Sequence, residues 1–315
     1  MEYGIQTFSL VKRFGNITAV NNLDISVRQN TIFGLVGPDG AGKTTTMRML
    51  SSLQKPDGGT GNIGGLDIVR DSEEIKRHIG YMPQKFSLYG DLTVLENLEF
   101  YSEIYQVPKK ESRQKIKFLL EFSNLNSHSY KLADQLSGGM KQKLALSCNL
   151  IHSPKYLFLD EPTIGVDPVA RRELWKILFD LKKQGVTIFI STPYMDEAER
   201  CDEIGLMDKG RIIEKGRPDS IISSFSNHIL CVLSEDNHAA KDEAQRLKSV
   251  QDTYLLGEEL HVVTQDPVKT VEELRKAFET SVMNYSINEI SPALEDVFVH
   301  IVKNQGHGDE YGKCN

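Results

Sequence analysis

The residues Gly37-Pro38-Asp39-Gly40-Ala41-Gly42-Lys43-Thr44-Thr45 fit the pattern G-x-x-x-x-G-K-[ST]. They follow an apolar run, Ile32 to Val36, and precede a helix-compatible stretch, Thr45 to Leu53. Strand, glycine loop and helix in that order make a phosphate cradle: glycines let backbone N–H groups converge on phosphate oxygens, and the helix N-terminus adds partial positive charge. In such a cradle Lys43 reaches the β- and γ-phosphates of a nucleotide and Thr44 ligates Mg²⁺. A second element supplies acids. Tyr156-Leu157-Phe158-Leu159-Asp160-Glu161 is an apolar strand ending in two carboxylates, suited to the C-terminal edge of a sheet beside a phosphate loop. Asp160 takes the Mg²⁺-holding part, and Glu161 is placed to polarise the attacking water. Alone, Asp-Glu-Pro is ordinary turn chemistry; beside the glycine loop it reads as the other half of a nucleotide site.

From Tyr3 to about Arg217 short apolar runs alternate with amphipathic stretches, the rhythm of an α/β domain with a largely parallel sheet. Thr31 to Val36, Tyr156 to Asp160, Thr187 to Ser191 and Ile204 to Met207 are the expected buried strands. Over residues 86–152 the strand signal gives way to helical patterns at Leu92 to Tyr105, Lys109 to Phe122 and Ser137 to Ile151, a helical insertion. After Arg217 a different alternation begins: His228 to Leu233, Ala239 to Leu247, Thr253 to Leu256, Glu259 to Thr264, Val268 to Phe278 and Val282 to Ile287. That β-α-β-β-α-β order predicts a small ferredoxin-like α+β domain of regulatory type over residues 226–303, closed by a helix from Ala293 to Lys303, after a first domain of residues 1–225. The polar, glycine-bearing stretch 304–315 is expected to be disordered.

Composition narrows the class. The chain has 315 residues, 39% hydrophobic and 26% charged, and no apolar run approaches the roughly 18–20 residues that span a bilayer. Met1 to Phe8 shows no basic-then-apolar secretory pattern, so a cytoplasmic location is expected. The formal net charge of −7 counts against a nucleic-acid partner, because phosphate backbones need a surplus of Lys and Arg. Cys148, Cys201, Cys231 and Cys314 have no C-x-x-C spacing and indicate neither a metal site nor a disulfide framework.

Leu136-Ser137-Gly138-Gly139-Met140-Lys141-Gln142 resembles the signature motif of ABC ATPases. With the phosphate loop before it and the strand-end acids after it, the resemblance covers roughly residues 3 to 225. It implies a P-loop core with a helical subdomain, ATP and Mg²⁺ as ligands, and a head-to-tail dimer in which Ser137, Gly138, Gly139, Met140 and Gln142 serve the γ-phosphate of the opposite subunit's nucleotide. By the same resemblance Phe14 is the aromatic that stacks on adenine, Gln84 the loop glutamine that touches Mg²⁺ and water, and Asp167 the D-loop aspartate that spans the dimer. Pro292-Ala293-Leu294-Glu295-Asp296-Val297-Phe298 is similar to the C-terminal extension of drug- and lipid-exporting ABC-2-type ATPases. The implied partners are membrane-spanning permease subunits and a second ABC ATPase subunit, with the chain peripheral on the cytoplasmic face of the membrane.

Two positions depart from the family pattern. Where the family usually ends a strand with Ser-Thr-His, this chain has Ser191-Thr192-Pro193. Proline has neither a side-chain donor nor a backbone N–H, so the histidine's γ-phosphate contact is lost. Asp39 stands where Asn or Ser is usual, and a carboxylate at about 4 Å from a phosphate is repelled by up to ~4 kcal/mol before screening. Both departures fall on this subunit's own site, while the signature run that serves a partner is intact. The expectation is a heterodimer in which this chain holds ATP at a slow site. The alternatives are a homodimeric active ATPase in which Glu161 suffices, and a non-hydrolysing regulatory switch.

Overall fold

The computed structural model describes residues 2–85, 88–279 and 284–303. Strands β1 (Tyr3–Phe14), β2 (Ile17–Leu23) and β3 (Ser26–Arg28) open the chain, and β4 (Ile32–Val36) leads into α1 (Lys43–Leu50). There follow β5 (Gly58–Ile63), β6 (Leu66–Asp67), α2 (Ser72–His78) and β7 (Ile79–Met82). Helices α3 (Val94–Ile104), α4 (Lys109–Phe122) and α5 (Gly138–Leu150) come next, then β8 (Tyr156–Asp160), α6 (Pro168–Lys183), β9 (Thr187–Thr192), α7 (Met195–Ala198), β10 (Glu203–Asp208) and β11 (Arg211–Gly216).

The central sheet has the order β11-β10-β4-β9-β8-β7, with β11 antiparallel at one edge and the other five strands parallel. β4, β8 and β9 are buried along their whole length, which is why each has an apolar run at its heart, with the polar Asp160, Ser191 and Thr192 at the ends of β8 and β9. The expectation of a largely parallel sheet holds here and misses a second sheet, β2-β1-β5-β6 with β3 also on β1, which is antiparallel throughout. Its signal is weak for a physical reason: β5 is Gly-Gly-Thr-Gly-Asn-Ile, with almost no apolar side chain to betray it. Phe33 of β4, Phe158 of β8 and Phe189 of β9 lock the sheet on one side, with ring centroids 5.2 Å apart for Phe33–Phe189 and 5.7 Å for Phe158–Phe189. α3 begins with a full capping box, Thr93 Oγ1 accepting from the Glu96 amide and Glu96 Oε2 from the Thr93 amide.

The chain divides into two compact units at Arg217 and Pro218 rather than at 225/226. The short helix α8 (Pro218–Ser223) therefore goes with the second unit. That unit continues with β12 (His228–Leu233), α9 (Asn237–Gln245), β13 (Val250–Leu256), β14 (Glu259–Thr264), α10 (Pro267–Phe278), β15 (Ser286–Ile290) and α11 (Leu294–Val302). Its sheet order, β13-β14-β12-β15, is the interleaved antiparallel arrangement that a split βαβ chain order implies. Leu230, Val232, Leu260 and Val262 face a core closed by Ala240, Ala244, Leu274 and Phe278. The start of the strand expected at Val282 to Ile287, and the tail expected to be disordered at 304–315, lie outside the described residues. Among those residues no helix is long and apolar enough to cross a membrane.

Phe189 is fully buried at the centre of the aromatic contact. Phe189→Ala should cost about 3–5 kcal/mol of stability, read as a lower urea midpoint for the first unit's unfolding transition.

Candidate nucleotide site

Parallel register brings three strand ends to one level. Val36 pairs with Thr192 and Asp160 with Ser191, so the loop after β4, the acids ending β8 and the end of β9 meet at one edge of the sheet. The Gly37 amide donates to the Thr192 carbonyl at 3.4 Å, tying the start of the glycine loop to the end of β9. Gly42, at the mouth of α1, has φ 108°, and a Cβ there would lie 2.3 Å from the Ala19 carbonyl oxygen of β2. Only glycine fits that approach.

A cavity of about 340 Å³ opens at this edge, lined by Asp39, Gly40, Gly42, Lys43, Thr44, Thr45, Gln84 and Glu161, with Ala19 at its side. Lys43 is buried, and its ammonium donates to the carbonyls of Gly37 at 2.7 Å and Pro38 at 2.9 Å. It also pairs with Glu161 Oε1 at 3.0 Å. Gln84 lies just past the end of β7, and its Nε2 donates to Glu161 Oε2 at 2.7 Å. The Glu161 amide in turn donates to Ser191 Oγ at 3.0 Å. Glu161 holds φ 50°, a left-handed conformation that costs a non-glycine residue about 1–3 kcal/mol and is typical of functional turns.

Asp160 is fully buried. Its Oδ1 accepts from Ser191 Oγ at 2.7 Å and from Thr44 Oγ1 at 3.1 Å, while Oδ2 has no hydrogen-bond partner. A buried carboxylate oxygen without a donor is costly, and with the Thr44 hydroxyl beside the same group the donor set fits a hard divalent cation. Burial and the charge of Asp160 push the Tyr81 phenol above its ordinary range.

The remaining predicted residues are placed differently. Ala41 is buried beneath the loop, and Asp39 is exposed at the cavity's mouth. Phe14, at the end of β1, is 48% exposed, with the Lys12 ammonium 5.7 Å from its ring centroid, and is not among the cavity's lining residues. Pro193 is half-buried immediately after β9. The signature residues form the start of α5: Ser137 caps it by accepting from the Met140 amide at 3.4 Å, and Gly138 is open to solvent. Gly139 is packed, since a Cβ there would meet Ala170 Cβ at 2.4 Å. Gln142 has a buried side-chain oxygen with no hydrogen-bond partner. None of the signature residues lines this chain's own cavity. Asp167 caps α6, accepting from the amides of Val169 and Ala170 at 3.0 Å each.

Sequence reasoning missed Glu197. It is fully buried in α7 and accepts from Thr192 Oγ1 at 2.8 Å and Thr163 Oγ1 at 2.9 Å, with Arg171 Nε of α6 at 3.4 Å. The Arg171 guanidinium also lies 4.5 Å from the Tyr194 ring centroid. In Met195-Asp196-Glu197-Ala198-Glu199 three acids look equally solvated, and only tertiary burial singles out one.

The ABC transporter family matches residues 20–164. The chain is 40% identical over 301 residues to the "Probable multidrug ABC transporter ATP-binding protein YbhF" of Escherichia coli (strain K12), covering 94% of this chain and 52% of that protein. It thus spans about half the length of that relative. It is 38% identical over 295 residues to the "Nod factor export ATP-binding protein I" of Ralstonia nicotianae, covering 93% of this chain and 91% of that protein. A solved "ATP binding subunit of ABC transporter" superposes with a TM-score of 0.64 at 28% identity, covering 70% of this chain and 92% of that one.

Because Gly42 combines a positive φ with a close backbone neighbour, Gly42→Ala should strain the loop by about 1–3 kcal/mol. Every 1.4 kcal/mol is tenfold in affinity. Titration with a fluorescent ATP analogue should show binding weakened by about tenfold or more.

Proposed function

The chain belongs to the ATP-binding proteins of ABC transporters, and from that premise we propose that it energises a membrane exporter by ATP-driven closure of a dimer in which its own site turns over slowly. The observation that carries this reading is the convergence of Lys43, Asp160, Glu161 and Gln84 at one cavity, with Pro193 where the family places a histidine. The export sense is supported by relatives whose names specify multidrug and Nod factor export.

The geometry supports a role for each residue. The loop from Gly37 to Thr45 binds the phosphates, with Lys43 exchanging a carbonyl or Glu161 contact for phosphate oxygens. Thr44 and Asp160 would hold Mg²⁺, with the Gln84 amide oxygen as a third ligand while its Nε2 keeps its bond to Glu161. When bound, the ion supplies charge neutralisation at the β- and γ-phosphate oxygens. Glu161 accepts the proton of the attacking water, and Gln84 and the Ser191 hydroxyl hold it in place. Phe14, exposed at the end of β1, is the surface on which adenine stacks.

Pro193 removes one donor from the γ-phosphate. Its neighbour Thr192 does not replace it, because that hydroxyl already donates to Glu197. The open Gly138 and the Ser137 cap leave the start of α5 available to a partner's nucleotide, which supports a head-to-tail dimer with a second, different ATPase subunit and permease subunits on the cytoplasmic face of the membrane.

Losing one transition-state donor costs about 10²–10³ in rate. The purified chain alone should therefore bind ATP and hydrolyse it slowly, and Pro193→His should raise its turnover by up to that factor. Normal turnover by the unmodified chain alone would defeat the asymmetric reading in favour of a homodimer. In Glu161→Gln the carboxylate is lost while the shape is kept. Residual hydrolysis should vanish and ATP binding persist, as measured by phosphate release and nucleotide titration on the same sample.

A further inference from the structure

We propose that the second unit carries a binding site for a divalent transition-metal ion of zinc type on Cys231, Glu259 and His261. The site follows from strand register. β12 and β14 run antiparallel with Cys231 directly opposite His261, and Glu259 stands two residues before His261 on the same face. The alternate residues Leu230, Val232, Leu260 and Val262 fill the core on the opposite face, so the polar set is turned away from it.

One ligand atom from each residue, the thiol sulfur, a carboxylate oxygen and an imidazole nitrogen, lies within 4.8 Å of the other two. His261 Nε2 and Glu259 Oε2 are 3.4 Å apart. The other ring nitrogen is already committed: Nδ1 is 2.6 Å from Oδ1 of Asp296, a fully buried carboxylate in α11. That same Oδ1 accepts from the Tyr254 hydroxyl at 3.0 Å, and Oδ2 accepts from the Ala293 amide at 2.7 Å, so Asp296 is itself held rigidly. A carboxylate on Nδ1 keeps the proton there and turns Nε2 toward the thiol and Glu259, the arrangement that orients metal-binding histidines.

The donor set selects the ion. Thiolate, imidazole and carboxylate suit Zn²⁺ and its neighbours, whereas Mg²⁺ and Ca²⁺ require six or more oxygen ligands. The Glu259 side chain is 48% exposed, which leaves a solvent-facing side for a water as fourth ligand. On binding, Cys231 gives up its thiol proton to solvent as the metal–sulfur bond forms, with no change of oxidation state. The rival is an imidazolium held between Asp296 and Glu259 without metal. Burial lowers the pKa of His261, and the two carboxylates outweigh that and raise it. In this rival the Cys231 thiol has the Glu259 carboxylate as its hydrogen-bond acceptor, whereas in the metal site the sulfur and the imidazole share one ion.

The test is a Co²⁺ titration of the full chain after chelator treatment. One equivalent should give a thiolate-to-cobalt charge-transfer band that Zn²⁺ abolishes and that is missing in Cys231→Ser. Co²⁺ at the phosphate loop, being oxygen-bound, gives no such band. Glu259→Gln, at a half-exposed position, should keep the fold and the band but weaken binding by at least about tenfold, and Asp296→Asn by about 10–100-fold. No thiolate band in the unmodified chain, or a band that survives in Cys231→Ser, would overturn the site and leave the metal-free imidazolium.

Discussion

The nucleotide site is organised by one buried ion pair, Lys43 with Glu161 at 3.0 Å, both side chains almost wholly withdrawn from solvent. Two charges in such a place must compensate each other, since removing either leaves an unpaired buried charge at a cost of about 3–5 kcal/mol. That requirement reaches outward in both directions. Lys43 pulls the carbonyls of Gly37 and Pro38 inward and so shapes the loop, while Glu161 takes Gln84 from the end of β7 and Ser191 from β9. Four segments far apart in the chain are thereby tied to one contact. Lys43, Glu161, Gln84 and Ser191 are one bonded set, and a ligand that draws on any of them must rearrange the others.

The same edge of the sheet explains why proline at position 193 is tolerated. The strand end is held by Thr192, whose carbonyl accepts from Gly37 and whose hydroxyl donates to Glu197. Glu197 also takes Thr163 and faces Arg171 of α6, the helix capped by Asp167. The frame around position 193 is therefore held by its neighbours and does not depend on the side chain there. Gly139 shows the converse: it reads as a phosphate-binding glycine, and its packing against Ala170 shows that the fold also requires a small residue there.

The second unit uses the two faces of one antiparallel sheet for different ends. One face is closed by α9 and α10 over an apolar core, and the other gathers Cys231, Glu259, His261 and Tyr254 around Asp296 of α11. Asp296 lies in the segment whose resemblance pointed to export ATPases, and its burial gives that segment a physical task within the unit: it caps its own helix through the Ala293 amide and anchors a strand through His261.

What the sequence by itself determined was whatever depends on neighbours along the chain: the glycine loop between strand and helix, the acids at the end of an apolar run, the signature at a helix start, and the β-α-β-β-α-β order of the second unit. It was silent where the deciding neighbour lies far along the chain. The antiparallel sheet escaped because β5 is glycine-rich, the unit boundary moved to Arg217 because α8 goes with the second unit, and Glu197 looked like one surface acid among three. Cys231 and His261 left no signal along the chain because they are neighbours across strands, not along one. Only the tertiary structure decided these, because burial and cross-strand register are set by packing, and packing turns an ordinary side chain into a buried charge or a ligand.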